Sequence, residues 1–267
     1  MTFTPRLVAL DIDGTIVDGS GHLPPEVRAA VRRVVDAGVP VVLSTGRSWL
    51  STKRIFDELG LPPGWAVSSN GAIVVSYPPF EVRYEVRFDP ADVIRQVARV
   101  APDACIGVQD VHTWRVSRPF PAGELEGEVL VQSIDELAAH DVSRVVIRDP
   151  NSSEEVFSEL VAKLGLHEVS YFVGWSAWLD IAPQGIDKAH GLALVCEALG
   201  VDQADVLALG DGRNDIEMLQ WAGRGVAIGD APPEVKEAAD AVTGPFADLG
   251  TVEELDRWFP AAERAAS

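Results

Sequence analysis

Short apolar runs alternate with helical periodicity along the first quarter of the chain. Leu7-Val8-Ala9-Leu10 is an unbroken apolar run, as expected of a strand buried on both faces. Val27, Ala30, Val31, Val34 and Val35 then recur at helical spacing. Pro24 and Pro25 open that helix and Gly38 closes it. Val39–Leu43 predicts a second buried strand, Trp49–Leu59 a second helix closed by Gly60, and Trp65–Ser68 a third short strand. Such a series predicts a parallel sheet with helices on its faces.

The pattern then changes. Phe80–Phe88 alternates apolar and charged residues, which predicts a half-exposed strand. A helix is expected from Pro90 to about Val100, and another over Ser152–Leu164. Short strands are expected at Ala104–Val108, Trp114–Ser117, Arg144–Arg148, His167–Val173 and Trp178–Ile181, with a Pro- and Gly-rich loop over 118–127. From Lys188 the first pattern returns. It predicts a helix to Leu199, a strand at Val206–Leu209, a helix at Asp215–Ala222 and short strands at Val226–Ile228 and Ala241–Val242. The tail after Pro260 is expected to fray. The fold class is therefore α/β: a Rossmann-like parallel-sheet core over residues 1–80 and 183–267, interrupted by an inserted α+β domain over 81–182.

Composition narrows the function classes. A hydrophobic content of 47% in 267 residues is enough for a full core. Lys and Arg total 22 against 41 Asp and Glu, a net charge of −19. That surface repels nucleic acid and anionic lipid, but a locally positive cleft can still take an anionic small molecule. Cys105 and Cys196 stand in unrelated contexts and form neither a disulfide framework nor a zinc motif. No run approaches the roughly 18 apolar residues of a membrane span, and the start is unlike a signal peptide. The expectation is a cytoplasmic protein with no nucleic-acid, membrane or evident protein partner.

Candidate chemistry collects at the expected strand ends. Asp11-Ile12-Asp13-Gly14-Thr15 follows the first strand, and strand alternation would send both carboxylates to one face. Carboxylates that close repel each other, and Mg²⁺ together with a phosphate is the usual occupant of such a site. Ser44-Thr45-Gly46-Arg47 ends the second strand, where a hydroxyl and a glycine amide can hydrogen-bond phosphate oxygens. Lys188 opens the helix after the insert and can neutralise both a carboxylate and a phosphoryl oxygen. Gly210-Asp211-Gly212-Arg213-Asn214-Asp215 adds two carboxylates at a further strand end. A calcium loop is disfavoured, because Ile16 and His22 stand where that motif needs Gly and Glu. A dinucleotide fingerprint is disfavoured too, because the first strand ends in carboxylates rather than glycines.

Taken in order, these segments resemble the haloacid dehalogenase superfamily of phosphatases, most closely its Cof-like members with a type IIB cap. Asp11-Ile12-Asp13-Gly14-Thr15 resembles the first motif, Thr45-Gly46-Arg47 the second, Lys188 the third and Gly210–Asp215 the fourth. Ser69-Asn70-Gly71-Ala72 and Gly225–Gly229 are also similar to that subgroup. The resemblance implies a phosphatase for a small phosphate ester, a sugar phosphate by analogy, working through an aspartyl-phosphate. It implies Asp11 as nucleophile and Asp13 as general acid and base. Mg²⁺ would be held by Asp11, Asp211, Asp13 through its backbone carbonyl, and Asp215. Ile12, Thr45, Gly46, Arg47, Lys188 and Asn214 would hold the phosphoryl group. A phosphomutase or an inactive phospho-ligand sensor would share these motifs.

Two departures stand out: Asp230 where the subgroup often has Asn, and Ala189 where Gly is common. Trp114, Arg115, Arg118, Trp175 and Trp178 of the insert are candidate leaving-group contacts, with core packing the competing role for the tryptophans.

Overall fold

The computed structural model describes residues 3–152, 169–174 and 177–261. Beyond its first residue, the helix expected over Ser152–Leu164 lies outside the described residues, as do Trp175 and the tail past residue 261.

The first half of the core alternates as expected. β1 (Leu7–Leu10), α1 (Pro25–Asp36), β2 (Val41–Ser44), α2 (Trp49–Leu59) and β3 (Gly64–Ser68) follow in turn. Proline lies in the first turn of α1, while α2 is N-capped by Ser48 and closed by left-handed Gly60. Next come β4 (Ile73–Tyr77) and β5 (Glu81–Glu85), then α3 (Ala91–Val100), β6 (Cys105–Gln109), β7 (Thr113–Val116), β8 (Glu128–Val131), α4 (Ile134–Leu137), β9 (Arg144–Arg148), β10 (Val169–Gly174) and β11 (Trp178–Pro183). The chain then returns to the core through α5 (Lys188–Leu199), β12 (Val206–Gly210), α6 (Ile216–Trp221), β13 (Arg224–Ala227), α7 (Pro233–Ala238), β14 (Ala241–Val242) and α8 (Gly250–Trp258).

These strands form an eight-stranded sheet, β14-β13-β12-β1-β2-β3-β4-β5, and a six-stranded sheet, β10-β11-β9-β6-β7-β8. The large sheet is parallel from β14 to β3, and β4 and β5 add antiparallel strands. Alternation splits β1 between two cores. Val8 and Leu10 pack with Val27, Val31 and Phe56 of α1 and α2, while Leu7 and Ala9 pack with Leu192 and Val195 of α5. β1 lies between β2 and β12, which come from opposite ends of the chain. The strand order therefore reverses at β1, and in such sheets ligands bind outside the carboxyl ends at that point.

The structure departs from the sequence pattern in several places. The alternating residues 81–85, expected in the insert, are the edge strand of the large sheet and pair with β4. β4, β8, α4, α7 and α8 carried no separate expectation. β8 pairs parallel with β7, and its position within a stretch that continues a Pro- and Gly-rich loop hides it from pattern reading. No helix among the described residues is long and apolar enough to cross a membrane.

The turn before β4 demands one residue type. Gly71 has φ +96°, and a Cβ there would lie 1.9 Å from the backbone carbonyl oxygen of Asp187, just before α5. Gly38 has φ +78° but open space around it. Gly38→Ala is expected to cost only the left-handed strain, about 1 kcal/mol. Gly71→Ala adds a backbone collision that cannot be relieved by a rotamer, and is expected to cost at least about 3 kcal/mol. Urea denaturation of the two variants measures this, and equal costs would show that the approach of α5 to the turn is not a constraint.

Candidate active site

Four chain segments bring charge to the carboxyl ends of β1, β2 and β12. Asp11 follows β1 directly and is buried. Lys188, the first residue of α5, is fully buried. Its Nζ donates to Asp11 Oδ1 at 2.6 Å and to Asp215 Oδ1 at 2.5 Å. Asp187 caps the helix by accepting from the His190 amide, which fixes where the lysine starts. Asp215 is fully buried, and its Oδ2 accepts from the backbone amides of Asp211 (3.0 Å) and Gly212 (2.8 Å). Asp211 Oδ1 accepts from Thr15 Oγ1 at 3.1 Å, and Thr251 donates to the Thr15 carbonyl. Gly14, at φ +77°, lets this loop approach: a Cβ would lie 2.3 Å from Asp211 Oδ2.

Asp13 has a different environment from Asp11. The β1 ladder ends at Leu10, so strand alternation does not govern Asp13, which bridges to Val17 instead. Its side chain is 60% exposed and accepts from Arg47 Nε at 2.8 Å and Nη2 at 2.6 Å. Both carboxylates still line one cavity. Ile12 lies in the apolar core with its side chain, so any contact it makes with a phosphoryl group runs through its backbone.

Thr45, Gly46, Arg47 and Asn214 line the same cavity. Thr45 Oγ1 accepts from the Arg47 amide at 3.1 Å, shaping the turn after β2. Asn214 Nδ2 donates to Asn70 Oδ1 at 2.9 Å, and the Asn70 amide donates to the Thr45 carbonyl. Ser69 and Asn70 both have φ +52°, a left-handed pair that aims the turn at the loops after β2 and β12. Sequence reasoning matched residues 69–72 to the subgroup but assigned Asn70 no role.

The charge balance suits a cation. Ligand oxygens of Asp11, Asp211 and Asp215 lie within 4.8 Å of one another, and among the described residues Lys188 is the one ammonium that pairs with them. Burial, then the neighbouring Asp215, hold Asp11 well above the usual carboxylate range despite Lys188. The same causes push Asp211 up to about 7. Burial by itself would lower Lys188, but Asp11 and Asp215 outweigh it and raise the amine above its ordinary value. An all-oxygen donor set with surplus negative charge fits a hard divalent ion. Asp13 lies outside this cluster with its carboxylate on Arg47. Both Asp215 oxygens already have partners, so Asp11 and Asp211 are the two carboxylates with capacity to spare.

The cavity measures about 450 Å³ and runs from these residues to the six-stranded sheet. On that sheet Val145, Ile147, Leu179 and Ile181 face the α3 core, so Arg144, Trp178 and Asp180 face the cavity side together with Trp114. Arg115 and Arg118 do not line the cavity. Arg115 pairs with Asp110, and Arg118 donates to the carbonyls of Pro102 and Asp103. Trp114 is buried and packs with Val116 and Val146, so it serves the core and the cavity wall together. Asp230 does not line the cavity either, and its carboxylate accepts from the Phe246 amide at 2.8 Å. Arg144 and Asp180 were missed in the sequence, although Asp180 is a charge inside an otherwise apolar strand and Arg144 opens another.

The sequence profile of haloacid dehalogenase-like hydrolases matches residues 8–255. A 5-amino-6-(5-phospho-D-ribitylamino)uracil phosphatase of Bacillus subtilis is 30% identical over 259 residues, covering 95% of each chain. A phosphoglycolate phosphatase of Natronomonas pharaonis is 32% identical over 255 residues, covering 94% of this chain and 96% of its own. Among solved structures, a haloacid dehalogenase subclass IIB sugar phosphatase superposes with a TM-score of 0.80 at 21% identity, covering 96% of this chain and all of its own. The four motif segments meet at the switch point of one sheet, the insert forms the second sheet, and the profile spans both: the chain belongs to the haloacid dehalogenase-like hydrolases.

Proposed function

We propose that this protein is a Mg²⁺-dependent phosphatase that hydrolyses a small phosphorylated metabolite, a sugar phosphate, through an aspartyl-phosphate on Asp11. The observation that carries this reading is the setting of Asp11: a buried carboxylate held by Lys188, opening onto a cavity that also contains Thr45, Gly46, Asn214 and Asp13. Asp11 attacks phosphorus while Asp13 gives a proton to the departing oxygen. Water then attacks the acyl phosphate, and Asp13 takes a proton from it. Thr45, the Gly46 amide and Asn214 hold the phosphoryl oxygens, with Lys188 fixing Asp11. Asp11 and Asp211 would hold the ion, with the Asp13 backbone carbonyl and with Asp215 ordering the loop behind them. Bound there, Mg²⁺ supplies charge neutralisation between the phosphoryl group and the nucleophile.

The inserted domain that carries the six-stranded sheet acts as a cap that excludes water and contacts the leaving group. Support comes from the cavity, which has walls from both sheets. The relatives' substrates span a carboxylate-bearing ester and a ribityl-pyrimidine ester, so family membership alone leaves the leaving group open. Both cysteines are free thiols, which fits the reducing cytoplasm where we propose the protein acts.

Asp11→Asn is expected to reduce turnover of p-nitrophenyl phosphate by at least about 10³-fold, since an amide cannot become the acyl phosphate. Phosphate release is the measurement, with circular dichroism to verify folding. Retention of a tenth or more of the activity would remove Asp11 from the nucleophile role. Chelation by EDTA is expected to abolish turnover and added Mg²⁺ to restore it, and full activity in metal-free protein would exclude the ion.

Protons compete with the ion for Asp211 and Asp11. Asp211 is raised to about 7, so it is charged above that pH and protonates as pH falls through it, and Asp11 is raised as well. Calorimetric Mg²⁺ affinity is therefore expected to weaken on going from about pH 8 to about pH 6, with at least roughly half a proton released per ion bound near pH 7. Constant affinity over that range would show the cluster to be ionised without the metal.

A further inference from the structure

The far wall of the cavity carries a second arrangement of charge. Arg144 is buried and Asp180 is nearly so, with side-chain exposures of 6% and 14%. Arg144 Nε and Nη2 both reach Asp180 Oδ1, at 2.6 and 2.5 Å. Arg144 Nη1 donates to Gln109 Oε1 at 3.0 Å, and the guanidinium lies over the Trp114 ring at 5.5 Å. Strand register explains the assembly: Gln109 is opposite Arg144 on β9 and opposite Trp114 on β7. The arginine is thus held on three sides. Its donors to Asp180 converge on one oxygen; the Trp178 side chain also donates to this carboxylate, which keeps lone-pair capacity for a further donor.

A buried ion pair is a weak source of stability, because desolvation offsets most of the attraction. Placing one in a cavity wall rather than in the core suits recognition instead. The remaining charges define what can be recognised. Each arginine that lines the cavity has a carboxylate partner: Arg47 with Asp13, Arg54 with Glu126, Arg144 with Asp180 and Arg213 with Glu234. Glu124, also on the wall, pairs with Arg148. A substrate carrying a second anionic group would meet carboxylates whose counter-charges are already in use.

We propose that Asp180, held in place by Arg144, reads the leaving group and selects an uncharged, hydroxyl-bearing one over one with its own carboxylate. This rests on the phosphatase reading above and adds to it the chemistry of the leaving group. A hydroxyl donates to Asp180, while a carboxylate at the same place has no proton to donate and is repelled.

Sorbitol 6-phosphate and 6-phosphogluconate test the proposal, since they differ at one end by CH₂OH against COO⁻. The wild-type protein is expected to favour sorbitol 6-phosphate in kcat/KM by at least about tenfold. In Asp180→Asn that ratio is expected to fall at least about tenfold, because the repulsion is removed and Arg144 is left to attract a carboxylate. If the single variant does not fold by its melting curve, Asp180→Asn combined with Arg144→Gln removes both buried charges and is expected to bring the ratio near one. A wild-type ratio within about threefold of one, or a folded variant that loses both esters alike, would overturn the proposal. Hydrolysis of p-nitrophenyl phosphate with neither sugar ester turned over would do the same. No hydrolysis of any of the three esters would overturn the phosphatase reading and this one with it.

Discussion

The site depends on one buried ammonium. Lys188 has no contact with solvent and is compensated by Asp11 and Asp215, which come from opposite ends of the chain. Removing one partner from a buried pair typically costs about 3–5 kcal/mol, because a charge is left without compensation. The three side chains therefore hold one another in place, and through them β1, α5 and the loop after β12. Asp11 cannot move away from the lysine without leaving it half-paired. A carboxylate constrained in this way is already oriented toward the cavity before any ligand arrives.

That constraint shapes the backbone around it. α5 must begin beside β1, and the turn before β4 passes so close to Asp187 that only Gly71 fits. The same turn holds Ser69 and Asn70 in left-handed conformations, with Asn70 on Asn214 and Thr45. Ser69 meets the other sheet: its hydroxyl and the Gln109 amide hydrogen-bond each other at 2.9 Å. Gln109 in turn holds Arg144. A continuous set of hydrogen bonds thus runs from the core side of the cavity to its far wall. The two sheets are joined through buried polar groups, each with a partner, which favours one relative placement over others.

The cavity is polar at both ends for different reasons. At the core end, carboxylates outnumber cations, and the surplus calls for a metal ion. At the insert end, opposite charges are matched, and the surface offers an acceptor and aromatic edges. The matched charges reside on strands whose other face is ordinary apolar core.

The sequence by itself determined the βαβ core, because its strands are unbroken apolar runs and its helices have clear periodicity and caps. α2 and α5 begin and end at the residues the pattern marks, since Gly60 and Gly200 are left-handed stops. The site residues were legible for a similar reason: Asp11, Thr45, Lys188 and Asp211 all follow strand ends or open helices, where periodicity breaks. Tertiary structure decided the rest. β5 looks like part of the insert in sequence, but it pairs with β4, and pairing between strands leaves no periodic trace. Asp11 and Asp13 look equivalent two residues apart, yet one is buried against Lys188 and the other is exposed against Arg47. Arg144 and Asp180 are separated by 36 positions and carry no motif. They meet only because β9 and β11 are neighbours and the pleat sends both side chains to the same face.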